Sequence, residues 1–234
     1  MSIFNTIAFA AANPGFSIVT FVGSAQAGNN NGASVTVDIS SIDVQSGDII
    51  IVHHTVGEDN GDQTSSMTLT DSGFASLTTG YGNDTYDVNH KIHYKTADGT
   101  ETSVVSDAFP VASSSVILQV MVFRNASTLT LISTDLGTNS DDPVFTGATG
   151  LIVGNMVICA ASTGHISGES ASQEYTSGGD LDQFITDAEN DSEDCTAGLG
   201  CKAIIAQTSF TPAQWTMTGN GTSSSYVATT MVLS

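Results

Sequence analysis

The residues best suited to chemistry in this chain of 234 are its histidines, four of which occur in two close pairs. His53 and His54 follow an apolar run and precede Glu58 and Asp59, so a metal ion held by these side chains is one interpretation. Adjacent residues of a strand point to opposite faces, however. A hydrogen-bonded histidine pair at the end of a strand is therefore the favoured interpretation.

The second pair, His90 and His93, brackets Lys91. Residues three positions apart cannot share one face of a strand, so these two imidazoles cannot belong to a common site. We expect both to be surface residues rather than ligands.

Carboxylates concentrate in three clusters, which are residues 58–62, Asp141 with Asp142, and residues 187–194. Loop oxygens are the ligands that Ca²⁺ prefers, but the spacing of residues 58–62 does not match an EF-hand loop. Solvated loops are the favoured interpretation, and no metal site is predicted.

No arrangement for covalent or cofactor chemistry is recognisable. The chain lacks the G-x-S-x-G turn of a serine hydrolase, and Gly198-Leu199-Gly200 precedes no phosphate-binding helix. Carboxylates are so abundant that a pair suited to glycoside hydrolysis carries no information. We therefore predict no catalytic residues, no cofactor and no enzymatic activity.

The three cysteines have different surroundings. Cys159 lies within an apolar run and is expected to be an inert core thiol. Cys195 and Cys201 flank the segment TAGLG, which a disulfide would close if their Cα atoms approached each other; two free thiols are the alternative. Zinc is not favoured, because no further Cys or nearby His completes a ligand set.

The chain carries 24 acidic and only 4 basic residues, a formal charge of −20. Nucleic acids and anionic membrane surfaces bind through Lys and Arg, so neither is an expected partner. The hydrophobic share of 40% is enough for a folded core, which argues against disorder.

The first residues, MSIFNTIAFAAANPGF, are apolar and uncharged. No Lys or Arg precedes the apolar stretch, so no targeting signal is expected. Residues 1–15 are expected to form an N-terminal arm or the first strand, ahead of a single β-sandwich domain over residues 16–234. An arm of this composition would expose a hydrophobic patch unless it lay against a neighbouring subunit. The interface candidates are Ile3, Phe4, Ile7, Phe9 and Phe16.

Short apolar bursts with turn-rich spacers recur along the chain, as at Val35, Val37 and Ile39, where apolar and polar residues alternate. Near-continuous apolar runs predict buried strands over 48–56, 116–124, 151–160 and 226–233. Further strands are predicted over 16–25, 66–73, 91–98, 127–137 and 200–210, with a closing hairpin over 213–234. The pattern predicts an all-β fold, an antiparallel and jelly-roll-like β-sandwich with at most two short helices.

Two pairs of segments are similar to each other. SGDIIIVHHTVGE, residues 46–58, is similar to VGNMVICAASTGH, residues 153–165, and residues 113–124 are similar to residues 223–234. We interpret this as two-sheet symmetry within one domain. Residues 165–199 are polar and acidic and are expected to form a long surface insertion, with one or two helical turns over 180–190.

Several segments together resemble phage virion proteins of the β-sandwich kind. They are SIVTFVGSAQ, SGDIIIVHHTV, DSGFASLTTG, HKIHYKTADGTE, VILQVMVFRNA and YVATTMVLS. In such proteins the strand ending in an aromatic residue and Arg is followed by Gly, where this chain has Asn125, and the Gly-aromatic turn carries Trp, where this chain has Phe74.

This resemblance implies a structural or adhesive role and brings no catalytic residues. The expected function is a capsid decoration (cement) protein that binds and stabilises a head lattice; the alternative is a tail- or fibre-associated adhesin or carbohydrate-binding module. The expected partners are further copies of the chain, as a homotrimer, and the major capsid protein or another virion protein. The expected location is the virion.

Overall fold

The structure of the chain, a computed structural model, describes residues 18–58, 60–111, 114–138, 142–165, 174–189, 194–217 and 224–234. Regular structure in these ranges is β apart from one 3-10 turn at Thr64–Ser66, and the strands of every sheet pair antiparallel. The predicted all-β, antiparallel fold class is confirmed. No helix within the described ranges has the length and apolar character that crossing a membrane requires.

Sixteen strands are present in the described residues. In chain order they are β1 (Thr20–Asn29), β2 (Thr36–Asp38), β3 (Ile49–Gly57), β4 (Ala75–Gly82), β5 (Val88–Thr96), β6 (Ser103–Val105), β7 (Ser115–Arg124), β8 (Leu129–Thr138), β9 (Ala148–Thr149), β10 (Met156–His165), β11 (Tyr175–Thr176), β12 (Gln183–Glu189), β13 (Asp194–Ala203), β14 (Ser209–Phe210), β15 (Thr216–Met217) and β16 (Ser225–Leu233).

Ten of these strands form two five-stranded sheets, and each half of the chain builds one of them. The first sheet has the order β1-β7-β3-β5-β4 and the second the order β12-β13-β10-β16-β8. The remaining strands form the two-stranded ribbons β2-β6, β9-β14 and β11-β15. Residues of these ribbons pack on the outer faces of the two sheets.

The two sheets repeat the same topology. When β1, β3, β4, β5 and β7 are matched in chain order with β8, β10, β12, β13 and β16, the strand orders of the two sheets become identical. The ribbons β2-β6 and β9-β14 also correspond. The similar segments in the sequence fall on β3 and β10 and on β7 and β16, so that similarity reflects a structural repeat.

The turn before each central strand makes this repeat explicit. Gly47 and Gly154 both adopt a positive φ, at 94° and 97°, a conformation that only glycine adopts without strain. The amide of Gly47 donates to the carbonyl of Ala97, and the amide of Gly154 donates to that of Ile204, both at 2.9 Å. Equivalent positions in the two halves are thus 107 residues apart in the chain. Thr55 and Ser162 have the same separation.

Three apolar layers result from this arrangement. One lies between the sheets and includes Ile51, Ile158 and Leu199; the others lie under the ribbons on the outer faces, around Val52 and Trp215. Because both faces of the central strands are covered, these strands need apolar residues at nearly every position. The predicted buried strands over 48–56, 116–124 and 226–233 match β3, β7 and β16, whereas residues 151–155 precede β10 as a turn.

Several sequence predictions are wrong. Residues 183–189 of the predicted helix form β12, an edge strand whose exposed side permits polar residues. The predicted surface insertion over 165–199 contains β12 and the start of β13, and β13 is buried inside the second sheet. The sequence of β13 does not form a recognisable apolar run, because Ala and Gly take the place of larger apolar residues. The parts of this insertion at 166–173 and 190–193 lie outside the described residues.

Two strand predictions also fail. Residues 66–73 make only an isolated bridge, between Leu69 and Ser106. The predicted closing hairpin does not form, because β15 pairs with β11 while β16 pairs with β10 and β8. Asn125, which follows β7, has φ 62° and so adopts the left-handed conformation expected of a glycine at this turn.

Candidate functional site

A layer of polar side chains lies between the two sheets, centred on His53 of β3. The Nδ1 of His53 donates to the side-chain oxygen of Gln119 at 3.0 Å, because the amide nitrogen of Gln119 is used as a donor toward the carbonyl of Ala197 at 3.3 Å. The Nε2 of His53 is therefore an acceptor in the neutral ring. It lies 2.8 Å from the hydroxyl of Ser162 and 3.0 Å from that of Thr55.

His90 of β5 completes this layer. Its Nδ1 lies 2.8 Å from the Ser162 hydroxyl and 3.1 Å from the Nε2 of His53, and its Nε2 lies 3.0 Å from the hydroxyl of Thr229. The two imidazole centroids are 4.6 Å apart. Residues of β3, β5, β7, β10 and β16 thus form one hydrogen-bonded network that joins both sheets.

A hydroxyl beside an imidazole is the arrangement of an activated nucleophile, but here the pair is enclosed. His53, His90 and Ser162 have no solvent-exposed surface, so a substrate has no approach to the serine oxygen. Burial lowers the pKa of His53 to about 4 and that of His90 well below its ordinary value, so both rings are neutral at pH 7. The network is built to join the sheets.

The network is asymmetric across the internal repeat. Thr55 and Ser162 occupy equivalent positions and their hydroxyl oxygens meet at 2.6 Å. At the positions that correspond to His53 and His90, 107 residues further on, the second half has the small residues Ala160 and Ala197. The first half thus contributes both imidazole rings of the network, and the second half has small side chains at the equivalent positions.

A second polar cluster lies on the outer face of the first sheet, where β3 and β5 place His54, Lys91 and His93. His54 is buried, and within the described residues neither of its ring nitrogens has a hydrogen-bond partner; the same is true of the Nε2 of His93. Burial, and then the neighbouring His93, His53 and Lys91, lower the pKa of His54 well below its usual value. Burial also lowers the pKa of His93 to about 4.

The structure confirms some of the predictions about the histidines and contradicts others. His53 and His54 do point to opposite faces of β3, and His90 and His93 to opposite faces of β5. The favoured hydrogen-bonded arrangement holds for His53 and is wrong for His54. The expectation that His90 and His93 lie at the surface is wrong, because the ribbons and the second sheet cover both faces of the first sheet.

The acidic cluster near His54 is used internally. Glu58 is buried, and its carboxylate accepts hydrogen bonds from the backbone and side chain of Asn60 and from the hydroxyl of Ser114. In the described ranges no group of three or more His, Cys, Asp or Glu side chains could hold a metal ion. Asp59, Asp141 and residues 190–193 lie outside those ranges.

The cysteines are all free and buried, which confirms the core position of Cys159. Cys195 and Cys201 lie six residues apart on the single strand β13, so their Cα atoms are separated by roughly 20 Å at 3.3 Å per residue. A disulfide requires less than about 7 Å, so the proposed bridge cannot form. Burial raises the pKa of all three thiols, that of Cys201 to about 12, and keeps them protonated.

An exposed apolar rim lies at the turn before β10. It consists of Ile18, Ile152, Val153 and Ile205, and Ile205 is 74% exposed. These residues are neighbours because the amide of Val19 donates to the carbonyl of Gly154 and the amide of Gly154 to that of Ile204, both at 2.9 Å. The rim therefore lies where the first 17 residues join the described chain.

The internal repeat provides a comparison for this rim. The equivalent positions of the first half, 107 residues earlier, are Gln45, Ser46 and Asp98. The same turn is polar in one half and apolar in the other, so the apolar residues are not a requirement of the turn. The interface candidates Ile3, Phe4, Ile7, Phe9 and Phe16 lie outside the described residues.

Comparison of the chain with protein families, with curated proteins and with solved structures found no match to any of them.

The rim and the cluster around Lys91 were not predicted from the sequence. One available signal was the similarity of residues 46–58 to residues 153–165. Alignment of the two halves on these segments singles out positions where an apolar residue replaces a polar one, or a histidine replaces alanine. Such positions are the ones that folding alone does not dictate.

Proposed function

We propose that this chain is a non-enzymatic structural protein of a phage virion, a capsid decoration protein that associates with further copies of itself and with the head lattice. The observation that carries the proposal is the apolar rim of Ile18, Ile152, Val153 and Ile205 on a chain of charge −20. Copies of so acidic a chain repel one another at long range, so stable association depends on buried apolar surface. The rim is such a surface.

The occupant that fits the rim is the N-terminal segment of a neighbouring copy. This segment precedes Ile18 of the rim in the chain, has no charged side chain over residues 1–17 and contains the apolar Ile3, Phe4, Ile7, Phe9 and Phe16. Seventeen residues reach up to roughly 60 Å when extended, which is enough to span to another subunit. A ring of three copies, each covering the rim of the next, satisfies all three rims.

The resemblance of six segments extends to phage proteins of heads, tails and fibres alike, and the head location is favoured because aromatic residues make up only 7% of the chain, with a single Trp. The alternative, a carbohydrate-binding adhesin, needs exposed aromatic rings on which sugars stack. Within the described residues, no aromatic side chain is largely exposed to solvent. Trp215 is fully buried among Phe145, Tyr175 and Phe184. This favours the decoration protein.

Cryo-electron microscopy of the virions of the encoding phage tests the proposal. The virions are labelled with an antibody fragment against the chain and compared with particles from a phage whose copy of the gene is deleted. Density at symmetry positions of the head that disappears on deletion supports the proposal. Label on tail fibres alone supports the adhesin, and virions without label contradict both.

A further inference from the structure

The outer face of the first sheet carries a small polar cleft of about 200 Å³ beside the cluster of His54, Lys91 and His93. Ser76, Lys91 and His93 contribute to the cleft from β4 and β5, while Thr68, Asp71 and Phe74 line it from the segment between β3 and β4. The cleft thus combines hydroxyls, an amine, an imidazole, a carboxylate and one aromatic ring.

Lys91 differs from the other basic residues. Lys95, Arg124 and Lys202 each form an ion pair with a carboxylate at 3.3 Å or less, whereas Lys91 forms none within the described residues. Its ammonium group donates to the carbonyl of Thr64 at 3.0 Å, and that bond uses one of three donors. Lys91 as a whole residue is only 9% exposed, and it lines the cleft.

The neighbouring imidazoles are also short of partners. Among the residues that the structure describes, His54 has two buried ring nitrogens without a hydrogen bond and His93 has one. Buried polar atoms are nearly always paired in folded proteins, so three such atoms around one lysine need an explanation. Of these two histidines only His93 lines the adjoining cleft, so a polar ligand there bears on His93 and Lys91 and not on His54.

The second half of the chain has an apolar solution at the same place. The positions equivalent to His54, Lys91 and His93 are Ala161, Gly198 and Gly200. A Cβ atom added to Gly198 would lie 2.6 Å from the ring of Trp215, and one added to Gly200 would lie 2.5 Å from Leu181. In the second half, small residues therefore pack under large apolar side chains and stabilise the fold. The polar residues at the equivalent positions of the first half have a different role.

We propose that the cleft beside Lys91 binds a small organic carboxylate. The Lys91 ammonium is the counterion and the Ser76 hydroxyl is a further hydrogen-bond donor, while the rings of His93 and Phe74 line the cleft beside the ligand. Asp71 also lines the cleft, and its carboxylate repels a second negative charge. A singly charged carboxylate therefore binds more tightly than phosphate. This inference is independent of the virion location.

Titration of the ¹⁵N-labelled full chain with sodium acetate, followed by nuclear magnetic resonance at constant ionic strength, tests the site. We expect saturable shifts confined to residues 68–76 and 91–93, and weaker shifts of the same signals with phosphate. Lys91→Met, which keeps the length of the side chain but removes the charge, should weaken acetate binding at least about tenfold. Lys202→Met removes a surface charge elsewhere and should leave binding unchanged.

Sodium chloride at the same ionic strength is the reference. Shifts with acetate that equal those with chloride, or that are spread over the surface, overturn the proposal, as does equal binding by Lys91→Met and wild type. If Lys91→Met does not fold, Lys91→Arg replaces it: binding must survive in this variant because the charge remains. Tighter binding of phosphate than of acetate would overturn the carboxylate assignment.

Discussion

At the scale of single residues, His53 and His90 form their hydrogen bonds as neutral rings. His53 and His90 are enclosed by hydroxyl and amide partners from both sheets, and no carboxylate contacts either ring in the described residues. A proton added to this network creates a buried charge without a counterion. The network that joins the sheets at neutral pH therefore opposes folding in acid.

The free energy of unfolding should fall as the pH is lowered from about 6.5 toward 4. The folded pKa of His53, about 4, lies below its ordinary value of 6.5, so the unfolded chain binds more protons in this interval. His53 alone contributes roughly 3 kcal/mol that is fully present above pH 6.5 and is lost toward pH 4. Urea unfolding at pH 7, 6, 5 and 4.5 measures this slope.

The double variant His53→Gln/His90→Gln tests the assignment, because glutamine keeps hydrogen-bonding groups but does not titrate. Its stability should depend less on pH than that of the wild type. Glu189 provides a slope of the opposite sign in both proteins, since burial and then Asp187 raise its pKa to about 7. An unchanged slope in the double variant would show that other groups cause the acid sensitivity.

At the scale of strands, coverage on both faces decides which residues a strand carries. The central strands β3 and β10 are buried at every position, and their apolar runs made them predictable from the sequence. β12 and β13 were not predictable, because β12 is an edge strand with polar residues and β13 uses Gly and Ala beneath the aromatic side chains of the second half. Pattern alone does not reveal what covers a strand.

Substitutions of three isoleucines compare the stability effect of a charge at one buried position with its effect at two exposed positions. Ile158→Asp should unfold the protein or cost at least about 3 kcal/mol, because Ile158 is fully buried between the sheets and a carboxylate there has no partner. Ile152→Asp and Ile205→Asp, at the exposed rim, should leave the monomer fold unchanged. Circular dichroism and thermal unfolding measure both effects. An equally stable Ile158→Asp variant would refute the arrangement of the sheets.

At the scale of the whole molecule, the chain is two copies of one topology joined face to face. The repeat was visible in two short similarities of sequence, but the hydrogen bonds of His53 to Ser162 and of His90 to Thr229 were not, since they join residues far apart in the chain. The same holds for the candidate sites. Their residues can be read from the sequence, but the burial, the hydrogen-bond partners and the neighbours of those residues depend on the fold.

The two halves have diverged at their surfaces as well. The first half keeps polar residues at the turn before its central strand, while the second half exposes Ile152, Val153 and Ile205 there. We therefore expect association to involve one end of one half. Moderate salt should strengthen that association, because it screens the repulsion between copies of charge −20.

Sedimentation velocity of the full chain and of a variant lacking residues 2–14 tests this account most directly. The account predicts that the wild type sediments as a trimer and that the truncated protein keeps its circular dichroism spectrum but sediments as a monomer. Ile205→Asp should shift the wild-type trimer in the same direction. A wild type that is monomeric at all concentrations, or a truncated protein that folds and remains trimeric, would contradict the attachment through the N-terminal segment and the rim.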